Sequence, residues 1–577
     1  MMTNGAFPRT RRSGSTIPFT PAASWCFFVL MCSSALAVAA PAPRPNIVLI
    51  MVDDMGFSDI GCYGGEIQTP NLDRLAAEGL RFKQFYNSGR CCPTRASLLT
   101  GLHPHQVGIG HMTEMPKGPS PLENEPYQGY LNDRCVTIAQ VLRRAGYHTL
   151  MTGKWHLGYH RKQTWPLQRG FDRYFGIISG ASHYMRPDGD RGLTYMNEPV
   201  EAPDGFYVTD AFTDYACRFI GDVVQRDDSA AGRNEPGKAK PFFLYVAYSA
   251  PHWPLQAKAK DLAKYEGTYR VGWHEISKGR WARQVAMGLI NPRWTPAPHE
   301  GPYWGSLTDE QMGIQDLRMA AYAGCVDSID QNIGKLIQRL KSLDVYDNTI
   351  IFFLSDNGAC QEGGILGSGD EKSVRDPLST SGTDGPRVGR VWANASNTPF
   401  RLYKHFVHEG GMATPLIVHW PAGLPRDRQG TFVEAFGYLP DLMPTLVELA
   451  GAEYPAVWNG RTIPPSAGKS LVPLIKGVAE PVHTEPIFWE HEGNRAMRDS
   501  QWKLVWSESG PWELYDLEKD RTEMYDLSQV LPRRVAIMRR QWESWARRTG
   551  VQFQGSFSFY EMFEDFTRSQ NPSGSER

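Results

Sequence analysis

Net charge is nearly absent from this chain: 61 Lys and Arg stand against 62 Asp and Glu. No basic excess of the kind that binds nucleic acid is present, so no nucleic-acid partner is expected. Any anion chemistry must come from a local pocket. No repeat or long low-complexity tract appears. Beyond residue 40, no apolar run approaches the roughly 20 residues of a membrane-spanning helix, which excludes stable membrane insertion. Cysteine is sparse, with nine in 577 residues. Cys26 and Cys32 fall in the leader; Cys62, Cys91, Cys92, Cys135, Cys217, Cys325 and Cys360 remain. An odd number leaves at least one unpaired in an oxidising compartment if no outside partner exists.

Residues 1–40 read as a cleaved secretory signal. Arg9, Arg11 and Arg12 form a basic start, Trp25–Met31 begin a short apolar core, and Ala35–Ala40 offer small-residue cleavage sites. A periplasmic or secreted mature protein is expected. The length exceeds the roughly 250–300 residues at which one core stops growing, so a large domain plus a smaller one is the default.

Several apolar runs are each followed at once by polar or Gly/Pro-rich sequence. Asn46–Val52 ends in Asp53-Asp54-Met55-Gly56, and His148–Thr152 in Gly153-Lys-Trp-His-Leu-Gly158. Phe242–Tyr248 ends in Ser249-Ala-Pro-His-Trp-Pro254, and Thr349–Leu354 in Ser355-Asp-Asn-Gly358. Unbroken apolar runs of this length suit strands buried on both faces of a parallel sheet. Helical patterns lie between them, at Pro70–Gly79, Thr137–Ala145 and Ala320–Leu340. The reading is an α/β fold, a mostly parallel central sheet flanked by helices, whose ligands sit beyond the carboxyl ends of the strands. Residues 41–480 are assigned to this catalytic domain. Within them, 257–307 is rich in Trp and reads equally as a pocket wall or as surface packing. Residues 481–577 read as a small α+β subdomain, with strands at Trp502–Trp506 and Glu513–Leu517 and a terminal helix at Val535–Arg548.

The most informative stretch is Gly89-Arg-Cys-Cys-Pro-Thr-Arg-Ala-Ser-Leu-Leu-Thr-Gly101. Pro93 suits the opening of a helix, which puts Cys91 beside free N–H groups that favour an anion. Arg95 lies one turn on, with a donor fork matched to sulfate or phosphate. Asp53, Asp54, Asp356 and Asn357 end two of the strands and offer only oxygen ligands. A hard cation such as calcium or magnesium fits that set, and zinc does not.

The stretch around Cys91, with C-x-P-T-R followed by Leu98-Leu-Thr-Gly101, resembles the signature of type I sulfatases. Gly108-Ile-Gly-His-Met112 extends the likeness to the arylsulfatase-like branch of the alkaline phosphatase superfamily, and similar segments cover nearly all of the mature chain. Thr94 stands where that family usually has Ser. The resemblance selects Cys91 over Cys92, because only Cys91 has Pro two places on and Arg four places on. It implies an alkaline-phosphatase-like fold, a formylglycine made from Cys91 by a maturation enzyme, and one calcium ion. In that family the ion is held at the positions of Asp53, Asp54, Asp356 and Asn357 and also meets residue 91. One hydroxyl of the hydrated aldehyde attacks sulfur, and the other expels sulfate and regenerates the aldehyde.

Other positions follow from the same likeness. Lys154 matches a sulfate-binding lysine, His156 a histidine on the diol and the candidate base, and His252 a histidine near the leaving-group oxygen. Lys404 matches a second sulfate-binding lysine, with Arg401, His405 and His408 as close competitors. Arg95, Lys154 and Lys404 would together stabilise charge on the transferring group. The expected function is hydrolysis of aryl sulfates or sulfated carbohydrates. Two alternatives are a phosphonate monoester or phosphodiester hydrolase of the same superfamily, and a non-catalytic protein that binds sulfate esters.

Overall fold

A computed structural model describes residues 44–113, 125–230, 240–478, 480–508 and 510–552. The leader lies outside them. The run Asn46–Val52 forms β1, with Leu80–Tyr86 as β2, His148–Lys154 as β3, Arg173–Ile177 as β4, Leu193–Tyr195 as β5 and Glu198–Val200 as β6. Phe242–Ala247 is β7, Thr349–Ser355 is β8, Ala413–His419 is β9 and Thr431–Val433 is β10. They pair in the order β10-β2-β9-β8-β1-β7-β3-β4-β5-β6.

From β8 through β4 every pairing is parallel. β9 runs antiparallel to both β8 and β2. The α/β expectation is borne out as a mostly parallel central sheet. Along β1, Val48, Ile50 and Val52 join one core cluster while Ile47, Leu49 and Met51 join the other. Side chains alternate across a strand, so an unbroken apolar run loads both faces at once and requires helices on each side.

Direction decides where chemistry gathers. The carboxyl ends of β1, β3, β7 and β8 share one edge of the sheet, and antiparallel β9 brings its amino end there. The segment leading into β9 therefore joins the loops after the parallel strands. β2 ends on this edge too, and four residues later begins the helix Cys91–Thr100.

The Trp-rich segment serves as both pocket wall and packing: Trp281, Pro296 and His299 line a cavity of about 210 Å³, while Trp273 packs in the interior. Trp273 opens the helix Trp273–Ala286, is fully buried, and makes edge contacts with Trp304 and Trp392. From the same helix, buried Arg280 pairs with Asp59 at 2.6 Å and Glu66 at 2.7 Å. The Tyr322 hydroxyl donates to Asp59 at 2.6 Å and lies 3.2 Å from the Asp54 carbonyl oxygen. The segment thus braces the turn that carries Asp53 and Asp54.

The C-terminal part forms a separate four-stranded antiparallel sheet, Ile487–His491, Asn494–Asp499, Trp502–Trp506 and Trp512–Asp516. The helix Pro532–Thr549 lays Met538, Trp542 and Trp545 on its inner face. A buried ionic knot ties this sheet to the segment before β9. Glu409 accepts from Lys503 at 2.8 Å and from Arg521 at 2.7 Å. Among the described residues, none of the seven cysteines is in a disulfide, and no helix is long and apolar enough to cross a membrane.

Candidate active site

Cys91 is the first residue of its helix and Pro93 the third, where the missing proline N–H is no loss. Cys91 is 1% exposed. Burial alone would raise its thiol. The hydrogen bond with Cys92 and the charges of Lys154 and His156 outweigh burial and draw it well below its ordinary value. His156 is also within hydrogen-bonding reach of the thiol.

Four residues on, Arg95 is wholly buried. Its Nε and Nη2 reach Asp356 Oδ2 at 3.1 and 2.7 Å, and Nη1 donates to the Lys154 carbonyl at 3.1 Å. The guanidinium thus holds the end of β8 against the end of β3, with Asp53 Oδ1 3.9 Å away. Its donors are largely engaged by protein groups.

Lys154 is the last residue of β3, and its Nζ donates to Asp53 Oδ2 at 2.7 Å. Burial works against its charge, but Asp53 and residue 91 keep its pKa above the ordinary value. The chain does not continue past Lys154 as a plain extended segment. Gly153 has φ +104, and a Cβ there would meet the Ala247 carbonyl oxygen at 1.9 Å. His156 has φ +58. A turn in the backbone, rather than strand alternation, brings Lys154 and His156 to the same thiol.

Asp54, itself at φ +68, accepts from Asn357 Nδ2 at 2.6 Å and from Lys404 Nζ at 2.8 Å. Its backbone N–H donates to Asp356 Oδ1 at 3.2 Å. His252 Nε2 is 3.5 Å from Asp54 Oδ2. The other ring nitrogen lies 2.6 Å from the Trp253 carbonyl oxygen, which requires the proton on Nδ1. Burial, then the charges of Lys404 and Lys154, push His252 well below its ordinary pKa, so the ring is neutral at neutral pH.

Lys404 reaches the pocket and its three competitors do not. Arg401 Nη1 goes to Glu513 at 3.1 Å and the Tyr515 hydroxyl at 2.9 Å. His408 Nε2 is 3.0 Å from Glu513, and His405 Nδ1 is 3.3 Å from Glu492. All three face the C-terminal sheet. Apart from Arg401, His405 and His408, the positions singled out in the sequence meet in one buried cluster. Sequence reasoning missed Glu362 and Arg90, a buried pair 3.3 Å apart beside Lys404 and His252. Glu362 sits in no motif, and Arg90 lies inside the Gly89–Gly101 stretch but ahead of its C-x-P-T-R core.

The oxygen set fits a hard cation. Asp53 Oδ1 and Asn357 Oδ1 are buried without a hydrogen-bond partner among the described residues. Asp53, Asp54 and His252 each offer an atom within 4.8 Å of the others. Burial and then the Asp356 carboxylate push Asp53 well above the usual carboxylate range. A divalent cation would relieve both the orphaned oxygens and this crowding.

Such a sheet, with the Cys91 helix and a buried cluster of carboxylates at its carboxyl edge, is an α/β fold of the alkaline-phosphatase-like type. The sulfatase family model matches residues 45–452. The model of the N-sulphoglucosamine sulphohydrolase C-terminal region matches residues 400–540. The chain is 34% identical over 547 residues to an uncharacterised sulfatase of Schizosaccharomyces pombe, covering 89% of this chain and 95% of the relative. It is 34% identical over 451 residues to an arylsulfatase of Klebsiella aerogenes, covering 75% and 93%. The solved structure of Ps i-CgsB aligns with TM-score 0.64 and 27% identity over 92% of this chain and 98% of that one. The chain belongs to the sulfatase family and is a hydrolase of sulfuric esters.

Proposed function

We propose that this is an exported, calcium-dependent sulfatase whose nucleophile is a formylglycine made from Cys91 by a maturation enzyme, acting on aryl sulfates or sulfated carbohydrates. The observation that carries this reading is the placement of Cys91. It meets Lys154 and His156 at a helix N-terminus, in the pocket that holds Asp53, Asp54, Asp356 and Asn357.

Those four residues would hold the calcium, which supplies Lewis-acid polarisation of a sulfate oxygen. A hydrated aldehyde at residue 91 would supply one hydroxyl for attack and a second for sulfate release. Lys154, at the end of β3, and Lys404, in the segment before β9, neutralise the anion. His156 takes a proton from residue 91, and Arg95 keeps Asp356 in place. His252 stands at the leaving-group side of Asp54.

Charge supports the pairing of ion and anion. Asp53, Asp54 and Asp356 face Arg95, Lys154 and Lys404, three charges against three. A divalent cation and the inorganic sulfate dianion, the product of the reaction, added together leave that balance unchanged. Either one alone disturbs it in a buried site, where an unmatched charge is costly.

The similarity to an arylsulfatase favours aryl esters, and the solved complex of Ps i-CgsB with k-i-k-neocarrahexaose favours carbohydrate esters. The test is release of inorganic sulfate from both ester types, compared with phosphate and phosphonate release from matched aryl esters. Faster turnover of a sulfate ester is expected. Preference for a phosphonate ester would overturn the reading.

A further inference from the structure

A second buried cluster of donors lies against the C-terminal sheet. His405 directly follows Lys404. His491 and Glu492 lie at the tip of the hairpin that joins Ile487–His491 to Asn494–Asp499. Glu492 Oε2 is 3.3 Å from His405 Nδ1 and 3.6 Å from His491 Nε2. One donor atom from each residue falls within 4.8 Å of the other two. The side chains of His405, His491 and Glu492 are 8%, 0% and 2% exposed. Ligands about 2.0–2.1 Å from a tetrahedral zinc lie about 3.3–3.4 Å from one another, so both Glu–His spacings are close to those of a coordination shell.

Hydrogen bonding among the described residues does not account for His491 or for all of Glu492. Neither ring nitrogen of His491, nor Glu492 Oε1, has a hydrogen-bond partner among the described residues. Buried polar atoms left in that state cost about 1–3 kcal/mol each. The backbone adds to the cost, because His405 has φ +85 and Glu492 has φ +45. Glu492-Gly493 is a two-residue hairpin turn whose first position favours Asn, Asp or Gly. Strain of this kind persists where surrounding structure or a bound group offsets it.

The neighbouring charges leave room for a cation. Arg90 is paired with Glu362 at 3.3 Å, so Glu492 is not its sole counter-ion. Asn494 Nδ2 lies 3.3 Å from His405 Nε2; with zinc on Nδ1 that ring nitrogen carries the proton, so the site needs the Asn494 amide turned to present its oxygen. Two imidazoles and one carboxylate suit zinc, whereas calcium takes oxygen.

We propose that His405, His491 and Glu492 form a zinc site distinct from the oxygen-lined centre, clamping the C-terminal hairpin onto the segment that carries Lys404. Such a site would bind zinc whatever reaction residue 91 performs. Zinc alone, titrated into the chelator-treated full-length protein against a chromophoric zinc indicator, is expected to fill one tight equivalent. H491A and E492Q are each expected to weaken that equivalent on the order of tenfold or more, with unchanged far-UV circular dichroism. D53N is expected to leave it intact. Should H491A fail to fold, E492Q decides, since it keeps the shape of the side chain. No zinc uptake by the wild type, or equal uptake by E492Q, overturns the site.

Discussion

Lys404 Nζ lies 2.8 Å from Asp54 Oδ2, joining residues 350 positions apart, and both side chains are 1% exposed. The contact ties the segment before β9 to the end of β1. Lys404→Met removes the partner and leaves a buried carboxylate short of positive charge. The expected loss is about 3–5 kcal/mol of stability, read by urea denaturation. Added calcium should restore part of it, because a ligand that binds only the folded state stabilises that state. A Lys404→Met protein as stable as the wild type would contradict the pairing.

The adjacent thiols should behave differently. Cys91→Ala is expected to lower sulfate release by on the order of 10³-fold or more, as loss of a nucleophile does. Cys92, besides its contact with Cys91, lies 3.6 Å from the His111 carbonyl oxygen and 3.5 Å from Met112 Sδ. Cys92→Ala should keep most activity and cost on the order of 1–2 kcal/mol for the space left behind. Rate assays and thermal melts of both variants separate the two roles. Equal inactivation would contradict the assignment.

Calcium and inorganic sulfate should bind cooperatively, because together they keep the pocket's charge balanced. A coupling of roughly 5–150-fold is expected, measured as the change in calcium affinity when sulfate is added. Independent binding would show that the six charged side chains do not set the pocket's preference.

Glu409 ties the stability of the C-terminal sheet to pH. Burial alone would raise its carboxyl, but Lys503 and then Arg521 hold it down from 4.5 to about 2. A depressed folded value means the contribution is complete above the unfolded pKa and disappears as pH falls through about 2. Glu409→Gln should therefore destabilise the protein at neutral pH, and the gap to wild type should narrow between pH 4.5 and 2. Urea midpoints across that range measure it. A constant gap would place the effect elsewhere.

The strands that carry the pocket were legible because burial on both faces leaves an unbroken apolar run with a sharp polar end. Asn46–Val52 is such a strand end to end, and Trp502–Trp506 in the small sheet matches its expected bounds too. Other boundaries required local chemistry that apolar periodicity misses. The long helix begins at Asp309 rather than Ala320, capped by Thr308 and Gln311 in a reciprocal box that the sequence does contain. The reversed direction of β9 has no signal in its own residues, since pairing partners are set by tertiary packing. Choosing Lys404 among its neighbours likewise depended on what faced them: Glu513 and Glu492 of the C-terminal sheet engage Arg401, His408 and His405. The left-handed turn at His156 was illegible for a different reason, because positive φ is uncommon in any residue but glycine.

The central claim concerns the chemistry of one side chain. Trypsin releases Cys91–Arg95 as a single peptide, and its mass in protein made alongside a formylglycine-generating enzyme reads the state of residue 91 directly. The account predicts a mass lowered by exchange of hydrogen sulfide for one oxygen atom, in a fraction of molecules that rises and falls with specific sulfatase activity. An unmodified thiol in fully active protein would contradict it.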